Sequence, residues 1–258
     1  MTILRTENIT KSYNDKTVIE DINIHLKEGE LVSLLGVSGS GKTTLFNIIS
    51  GLIMPDEGKV WLSERAPAQQ SGDRSQAESD ITGKPGSVAY MLQKDMLLPH
   101  KKIIDNVSLP LLLKGMPRKD ARAHADELFE EIGLEGTQYK YPNQLSGGMK
   151  QRAALLRTYM ASDGVVLLDE PFSALDTLTK SAMHKWYLQV MEHISLSTLF
   201  ITHDIDEAIL LSDRIYIMSG APGKIVDEIV IEEKRPRRDD FNLTPEFLEY
   251  KKRIISKL

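Results

Sequence analysis

The sequence predicts an α/β protein, and three observations lead to this fold class. Short apolar runs bounded by turn residues alternate along the chain with longer segments of helical period. Most of these runs are continuously apolar, as is typical of parallel strands that are buried on both faces. One of them, Leu31–Leu35, leads directly into a glycine-rich loop.

The elements follow from the same patterns in chain order. Alternation of apolar and polar residues predicts a half-buried strand at Ile22–Leu26. Continuous apolar runs predict strands at Leu31–Leu35, Val88–Leu92, Val165–Leu168, Thr198–Ile201 and Ile215–Met218. Apolar residues at helical spacing predict helices at Ile103–Leu113 and Arg118–Ile132, with Pro117 between them and Gly133 just past the second.

The composition excludes several classes of protein. The net charge of −5 argues against a protein that mainly binds nucleic acid phosphates, and the absence of cysteine excludes disulfides and thiolate metal sites. The first residues lack the apolar core of a signal peptide, and no stretch approaches the ~20 apolar residues that cross a bilayer. We therefore expect a soluble chain whose role at a membrane, if it has one, depends on a partner.

The segment Gly36–Thr43, GVSGSGKT, matches the phosphate-loop pattern between a predicted strand and a predicted helix. Its glycines allow backbone N–H groups to approach phosphate oxygens closely. Lys42 supplies a positive charge for the β- and γ-phosphates, and the Thr43 hydroxyl is placed to bind Mg²⁺. The predicted ATP-binding residues of this loop are Gly36, Ser38, Gly39, Ser40, Gly41, Lys42, Thr43 and Thr44.

Two acidic residues, Asp169 and Glu170, follow the apolar strand Val165–Leu168. Asp169 lies where ligands bind in α/β sheets and is predicted to hold Mg²⁺, directly or through water. Glu170 is predicted to polarise an attacking water as general base. Taken alone, such a pair is also typical of a helix N-cap.

The eight residues Leu145–Arg152, LSGGMKQR, are the most specific motif in the chain. Ser146 and two adjacent glycines precede a predicted helix, and a helix N-terminus with bare N–H groups favours an anion. The alternative is an ordinary Gly-Gly turn before a helix. In this order, with the phosphate loop and the Asp169–Glu170 pair on either side, the motif resembles the signature of the nucleotide-binding subunits of ATP-binding cassette (ABC) transporters, with Met149 where Gln is commonest.

This resemblance implies a P-loop NTPase (RecA-like) core with an N-terminal antiparallel β subdomain and an inserted α-helical subdomain. The implied domains are an ABC ATPase domain over 1–230, with the helical subdomain at about 94–145, and a charged linker with a terminal helix over 231–258. It also implies that the signature does not close on its own phosphate loop. In the family, Ser146, Gly147 and Gly148 would contact the ATP of a second copy in a head-to-tail dimer.

Further roles are implied by the resemblance alone. Tyr13 would stack on adenine, Gln93 would contact Mg²⁺ or the attacking water, and His203 would contact the γ-phosphate. Asp176, in Ser173–Asp176, would communicate between the two copies. Without the family context, Gln93 would be taken as a solvated strand end and Tyr13 as a core aromatic.

The function implied is an ATPase, with ATP and Mg²⁺, that drives a separate transmembrane permease from the cytoplasmic face of the membrane. The chain is most similar to the nitrate/sulfonate/taurine group of bacterial importers, which implies an extracytoplasmic solute-binding protein and leaves the cargo open. That group commonly has Trp where His100 stands. The alternative is a soluble or chromosome-associated ABC-type ATPase, although the 102 residues between Thr43 and Ser146 show no coiled-coil heptads.

Two segments have no assigned role. Arg65–Gly86 is polar and predicted to be a strand-poor surface insertion. Near the end of the chain, Thr244 and Pro245 predict a helix start with one mostly apolar side. That helix either packs against the main domain or docks a partner.

Overall fold

The computed structural model describes residues 1–63, 78–173, 177–194, 196–235, 237–238 and 240–258, without the side chains of 177–179 and 190–194. In these parts the strands are β1 (Thr2–Tyr13), β2 (Lys16–Ile22), β3 (His25–Lys27), β4 (Leu31–Gly36), β5 (Glu57–Ser63), β6 (Glu78–Asp80), β7 (Ala89–Met91), β8 (Val165–Asp169), β9 (Ser197–Thr202), β10 (Arg214–Ser219) and β11 (Lys224–Val230). The α-helices are α1 (Lys42–Ile49), α2 (Ile103–Val107), α3 (Leu109–Leu113), α4 (Arg118–Asp126), α5 (Gly147–Ala161), α6 (Thr177–Ile194), α7 (Ile205–Leu211) and α8 (Pro245–Ile255).

The chain divides into two compact units. The first unit comprises Met1–Val88 and Leu196–Leu258, and the second comprises Ala89–Ser195. In the parts of the chain that are described, each helix is too short or too polar to cross a bilayer.

An antiparallel sheet in the first unit has the strand order β2-β1-β5-β6, with β3 also paired to β1. The β1–β2 hairpin turns at Asn14 and Asp15, both of which have left-handed backbone with φ of 47° and 62°. The predicted strand Ile22–Leu26 is divided, because β2 ends at Ile22 and β3 begins at His25. The expected antiparallel β subdomain is present.

The first unit also contains three parallel strands in the order β10, β4 and β9, and β11 pairs antiparallel with β10. Every residue of β4 and β9 is buried, as their continuous apolar sequences predict. The register pairs Leu35 with Thr202 and Gly36 with Met218. The carboxyl ends of the three strands therefore meet at one edge, where the phosphate loop begins.

The terminal helix α8 packs against its own unit. Thr244 caps it by accepting a hydrogen bond from the Phe247 N–H, and Pro245 occupies its first turn. Phe247 and Ile254 are buried in a core shared with Ala208 and Ile209. This arrangement is the packing alternative of the two that the sequence left open.

The segment before α8 is also held in place, although its charges suggested a linker. The Arg237 guanidinium donates to the carbonyls of Leu210 and Ser212, at the carboxyl end of α7. Burial lowers the pKa of Arg237 to about 10. Arg235 pairs with Asp213 at 2.7 Å. Arg237 thus satisfies the helix end in the manner of a basic C-terminal residue.

The second unit contains the parallel pair β7 and β8 together with helices α2 to α6. Its core is apolar and includes Ile103, Val107, Phe129 and Leu156, all nearly fully buried. The helices are shorter than predicted. The first is divided at Ser108, whose hydroxyl donates to the Ile104 carbonyl, and α4 ends at Asp126, where turns with i to i+3 bonds begin.

Candidate nucleotide site

The phosphate loop connects the end of β4 to the start of α1. Gly41 caps α1 in a left-handed conformation, φ 95°, and no side chain caps the helix. The N-cap residue has no side chain that could occupy this helix end, which suits an anion there. The Lys42 ammonium donates to the carbonyls of Gly36 and Val37 at 2.8 and 2.9 Å, so it lies over the loop.

Two glycines of the loop are required by their surroundings. A Cβ at Gly36 would lie 2.3 Å from the carbonyl oxygen of Met218 on the neighbouring strand. A Cβ at Gly41 would lie 2.3 Å from Ile19 Cγ2, on β2. The loop is thus packed tightly between two strands.

The loop also carries the hydroxyls that a nucleotide phosphate requires. Ser38 and Thr43 are exposed and Thr44 is half-buried. Ser40 is buried, and among the described residues its hydroxyl has no hydrogen-bond partner. A buried hydroxyl without a partner is costly, and a bound phosphate would satisfy it. The residues present therefore fit the ATP that the sequence predicts.

Tyr13 ends β1 on the hairpin whose second strand touches this loop. Its ring is 43% exposed, and the Lys11 ammonium lies 5.5 Å from the ring centroid. On β2, Ile19 contacts the position of the Gly41 Cβ. An exposed ring is available for stacking, whereas a core aromatic would be buried. The core interpretation of Tyr13 is therefore wrong.

His203 directly follows β9 at the same edge of the sheet as the phosphate loop. Its side chain is exposed, and Asp204 after it caps α7 by accepting from the Glu207 N–H at 3.1 Å. The Thr202 hydroxyl bonds to the Glu207 carboxylate and accepts from the Asp204 N–H at 3.0 Å. These bonds define the backbone on both sides of His203.

In the second unit, Asp169 ends β8 and Glu170 follows it directly. Asp169 is 7% exposed, and the Tyr90 hydroxyl donates to its Oδ2 at 3.2 Å. The Gln93 amide donates to Glu170 Oε2 at 2.9 Å. Burial, and next the charge of Asp169, raise the pKa of Tyr90. The phenol therefore remains a donor to the carboxylate.

Glu170 has left-handed backbone, with φ of 46°. Its carbonyl accepts from both the N–H and the hydroxyl of Ser173, at 3.2 and 3.0 Å. The residue forms part of a turn rather than the N-cap of a helix. Left-handed backbone is strained for a residue with a Cβ, and such strain is common at functional sites.

The signature motif forms the start of α5 as predicted. Ser146 is the N-cap, and its hydroxyl accepts from the Met149 N–H at 3.3 Å. Ser146 and Gly147 are exposed, and among the described residues nothing beyond the adjoining chain lies within 4 Å of the position of a Gly147 Cβ. Further along α5, the Gln151 amide donates to the carbonyl of Pro171, the residue after Glu170. This bond joins the signature helix to the turn that carries the acidic pair.

Asp176 lies outside the described residues. Within them, no group of three or more His, Cys, Asp or Glu side chains forms a metal cluster. Three interacting residues were not foreseen from the sequence: Tyr90, Gln151 and Arg157, whose guanidinium donates to the carbonyls of Asp95 and Met96. A tyrosine within an otherwise aliphatic strand was the one available signal, since a buried phenol requires a partner.

Comparison with known proteins agrees with this geometry. Residues 19–173 match the family described as ABC transporter. The chain is 41% identical over 221 residues to a formylaminopyrimidine import ATP-binding protein of Halalkalibacterium halodurans, covering 85% of this chain and 81% of the relative. It is 35% identical over 246 residues to a nitrate import ATP-binding protein of Synechocystis, covering 93% and 87%.

A solved structure is similar over most of the chain. It is a dimeric ATP-binding cassette in a post-hydrolysis state with ADP and Pi, with a TM-score of 0.71 and 29% identity. The match covers 89% of this chain and 99% of that one. The similarity therefore extends into both units.

Proposed function

Because this chain belongs to the ABC transporter family, as an ATP-binding and ATP-hydrolysing subunit, we propose that it powers solute import through a separate membrane-spanning permease. Its relatives are named as import subunits, and no observation favours the alternative of a soluble or chromosome-associated ATPase. The permease places the chain at the cytoplasmic face of the membrane. An extracytoplasmic solute-binding protein completes the system, and the cargo belongs to the small-solute class of the relatives.

We assign nucleotide binding to the phosphate loop and to Tyr13. The backbone N–H groups from Gly39 to Thr44 and the Lys42 ammonium bind the phosphates, and the exposed ring of Tyr13 stacks on adenine. Two observations support this assignment: the Ser40 hydroxyl has no hydrogen-bond partner among the described residues, and the loop is tightly packed at Gly36. We also propose an ATPase domain over 1–230, with an inserted helical subdomain at about 94–145, followed by a terminal segment over 231–258.

Hydrolysis is assigned to Glu170, with Gln93 and His203 as its partners in the reaction. Glu170 accepts the proton of the attacking water, and Gln93 orients the carboxylate through the 2.9 Å hydrogen bond. His203 donates to the γ-phosphate. The observation that supports this proposal best is the Gln93–Glu170 bond, because it joins the predicted base to the residue predicted to contact Mg²⁺ or the attacking water.

Mg²⁺ would be held by oxygen ligands. Asp169 and Gln93 in the second unit, and Thr43 in the first, are the side chains proposed to bind it, directly or through water. A site of few protein ligands agrees with the absence of a larger acidic cluster among the described residues, since Mg²⁺ is usually held by one or two side chains and substrate phosphates. When bound, the ion neutralises negative charge on the phosphates.

The exposed N-terminus of α5 is proposed as the half-site that each copy offers to the other. Ser146, Gly147 and Gly148 present a helix N-terminus to solvent, which favours an anion from outside the chain. Two copies related by a two-fold axis would enclose two ATP molecules. Asp176 is proposed to communicate between them. Closure driven by ATP then acts on the permease.

The Glu170→Gln variant tests this proposal. An amide still accepts from Gln93 but cannot take a proton, so we expect hydrolysis to fall by at least ~100-fold while ATP binding persists. Saturating ATP should then hold the variant as a dimer, measured by light scattering after size-exclusion chromatography. In the double variant Ser146→Asp, Glu170→Gln, a carboxylate replaces the hydroxyl donor of residue 146, so we expect no dimer at saturating ATP. Rapid turnover by Glu170→Gln, or a dimer that withstands Ser146→Asp, contradicts the proposal.

A further inference from the structure

A tyrosine on β7 contacts the carboxylate that ends β8. The register of these parallel strands pairs Tyr90 with Leu167 and Met91 with Leu168. Asp169 is two residues beyond Leu167, and alternate residues of a strand point to the same face. Tyr90 and Asp169 are therefore diagonal neighbours on one face, and the phenol spans the diagonal to reach Oδ2 at 3.2 Å.

The same edge of the unit provides a second bond of this kind. Gln93, three residues after Tyr90, donates to Glu170, the residue after Asp169. Asp169 at the end of β8 and Glu170 directly after it thus each accept a hydrogen bond from the segment Tyr90–Gln93. The two contacts differ in burial, because Asp169 is nearly covered whereas Gln93 is exposed.

We propose that Tyr90 is a positioning residue for Asp169, whose phenol holds the carboxylate in one orientation and so sets the affinity of the site for Mg²⁺. This inference rests on the proposed function, because it requires Asp169 to act on the metal. Hydrogen-bond partners of metal ligands orient them, and their loss typically lowers metal affinity by about 10- to 100-fold. A single neutral donor at 3.2 Å falls at the lower end of that range.

A purely structural role for the phenol has different consequences. If Tyr90 only fills space, Tyr90→Phe keeps the ring and should change neither metal affinity nor nucleotide affinity. If the hydroxyl only stabilises the fold, the variant should unfold earlier and retain wild-type metal affinity when folded. Of the three roles, only positioning predicts that Tyr90→Phe folds normally and binds the metal more weakly.

The experiment compares Tyr90→Phe with wild type, with Asp169→Asn and with Tyr159→Phe. Tyr159 lies on α5 in the same unit, partly buried against its helical core, and therefore controls for the loss of a phenol oxygen. Binding of Mn²⁺, as a spectroscopic substitute for Mg²⁺, is measured by electron paramagnetic resonance with a non-hydrolysable ATP analogue. Affinity for the analogue is measured separately in chelator, and thermal melts without metal check the fold.

We expect Tyr90→Phe to weaken Mn²⁺ binding about tenfold at unchanged metal-free nucleotide affinity, with Tyr159→Phe equal to wild type. The Mg²⁺ concentration for half-maximal ATPase rate should rise by the same factor, with the rate recovered at high Mg²⁺. If folded Tyr90→Phe binds Mn²⁺ with wild-type affinity while Asp169→Asn loses affinity, only the role of Tyr90 is refuted. Wild-type affinity in Asp169→Asn overturns the metal assignment of the proposed function as well.

Discussion

Replacing Glu170 by glycine or by alanine removes the same carboxylate, but the two residues differ in how well they tolerate the backbone conformation at this position. Glu170 has a φ of 46°, in the left-handed region. Left-handed backbone costs a residue with a Cβ about 1–2 kcal/mol, and glycine avoids this cost. The unfolded chain gains conformational entropy with glycine, which offsets about 0.4–1 kcal/mol of the difference. We therefore expect Glu170→Gly to be more stable than Glu170→Ala by about 1 kcal/mol.

The comparison isolates the backbone because both variants lose the same bond. Neither can accept from Gln93, whose amide donates to Glu170 Oε2 in the native protein. The Ser173 N–H and hydroxyl bond to the carbonyl of residue 170, and both variants keep this carbonyl. The turn that imposes the left-handed conformation is therefore the same in the two proteins.

The measurement is urea unfolding without nucleotide, with thermal melts as a second probe. For a chain of this size, about 1 kcal/mol corresponds to a difference in Tm of about 2–4 °C. Equal stability, or a more stable alanine variant, would refute the left-handed backbone at this position. ATP hydrolysis is measured on both, and appreciable turnover in either variant would instead remove Glu170 from the role of base.

Three other perturbations give further predictions. Lys42→Ala removes the ammonium over the phosphate loop and should weaken ATP binding at least tenfold by equilibrium titration, whereas unchanged affinity would contradict its phosphate role. Phe247→Ala empties a buried position in the core beneath α8 and should lower the free energy of unfolding by about 3–5 kcal/mol, whereas a loss below 1 kcal/mol would mean that α8 is not anchored there. Burial alone would raise the pKa of Asp105, but hydrogen bonds from Arg122 and Arg118 hold the pKa of this carboxyl below its usual value. The stabilisation from Asp105 is therefore complete above the pKa of the unfolded chain and is lost as the pH falls through the lower folded pKa. The penalty of Asp105→Asn, about 1–3 kcal/mol at pH 7, should accordingly shrink in acid unfolding series.

The sequence predicted the buried strands well because their signal is local. β4, β8 and β9 are continuous apolar runs, and each lies within a residue or two of its predicted bounds. The long strand β1 was missed because it alternates irregularly, with exposed Glu7 and Asn8, and Asn8 has a φ of 50°. Register shifts interrupt its pairing with β2, β3 and β5, so no periodic pattern survives in its sequence.

Helix ends and the tail were harder to predict, since tertiary contacts decide them. The helix from Arg118 was expected to reach Ile132 and ends at Asp126, after which the chain turns so that Phe129 and Leu134 enter the core. Arg237 looked like part of a charged linker, yet its guanidinium closes the end of α7. The identity of a partner carbonyl 27 residues earlier cannot be read from local sequence.

For the site, the motifs predicted the reacting groups but not the residues that support them. Patterns such as GVSGSGKT and LSGGMKQR are local, and each forms the loop or helix start that its residues predict. The support is not local: the Tyr90 contact depends on the register of β7 against β8, and a shift of one residue would turn the phenol to the opposite face. The site also departs from the usual rules at Glu170, with its left-handed backbone, and at Ser40, with its buried hydroxyl without a partner among the described residues. Such departures are expected where chemistry rather than stability fixes the residue, and they are therefore better guides to the working groups of this chain than its regular elements.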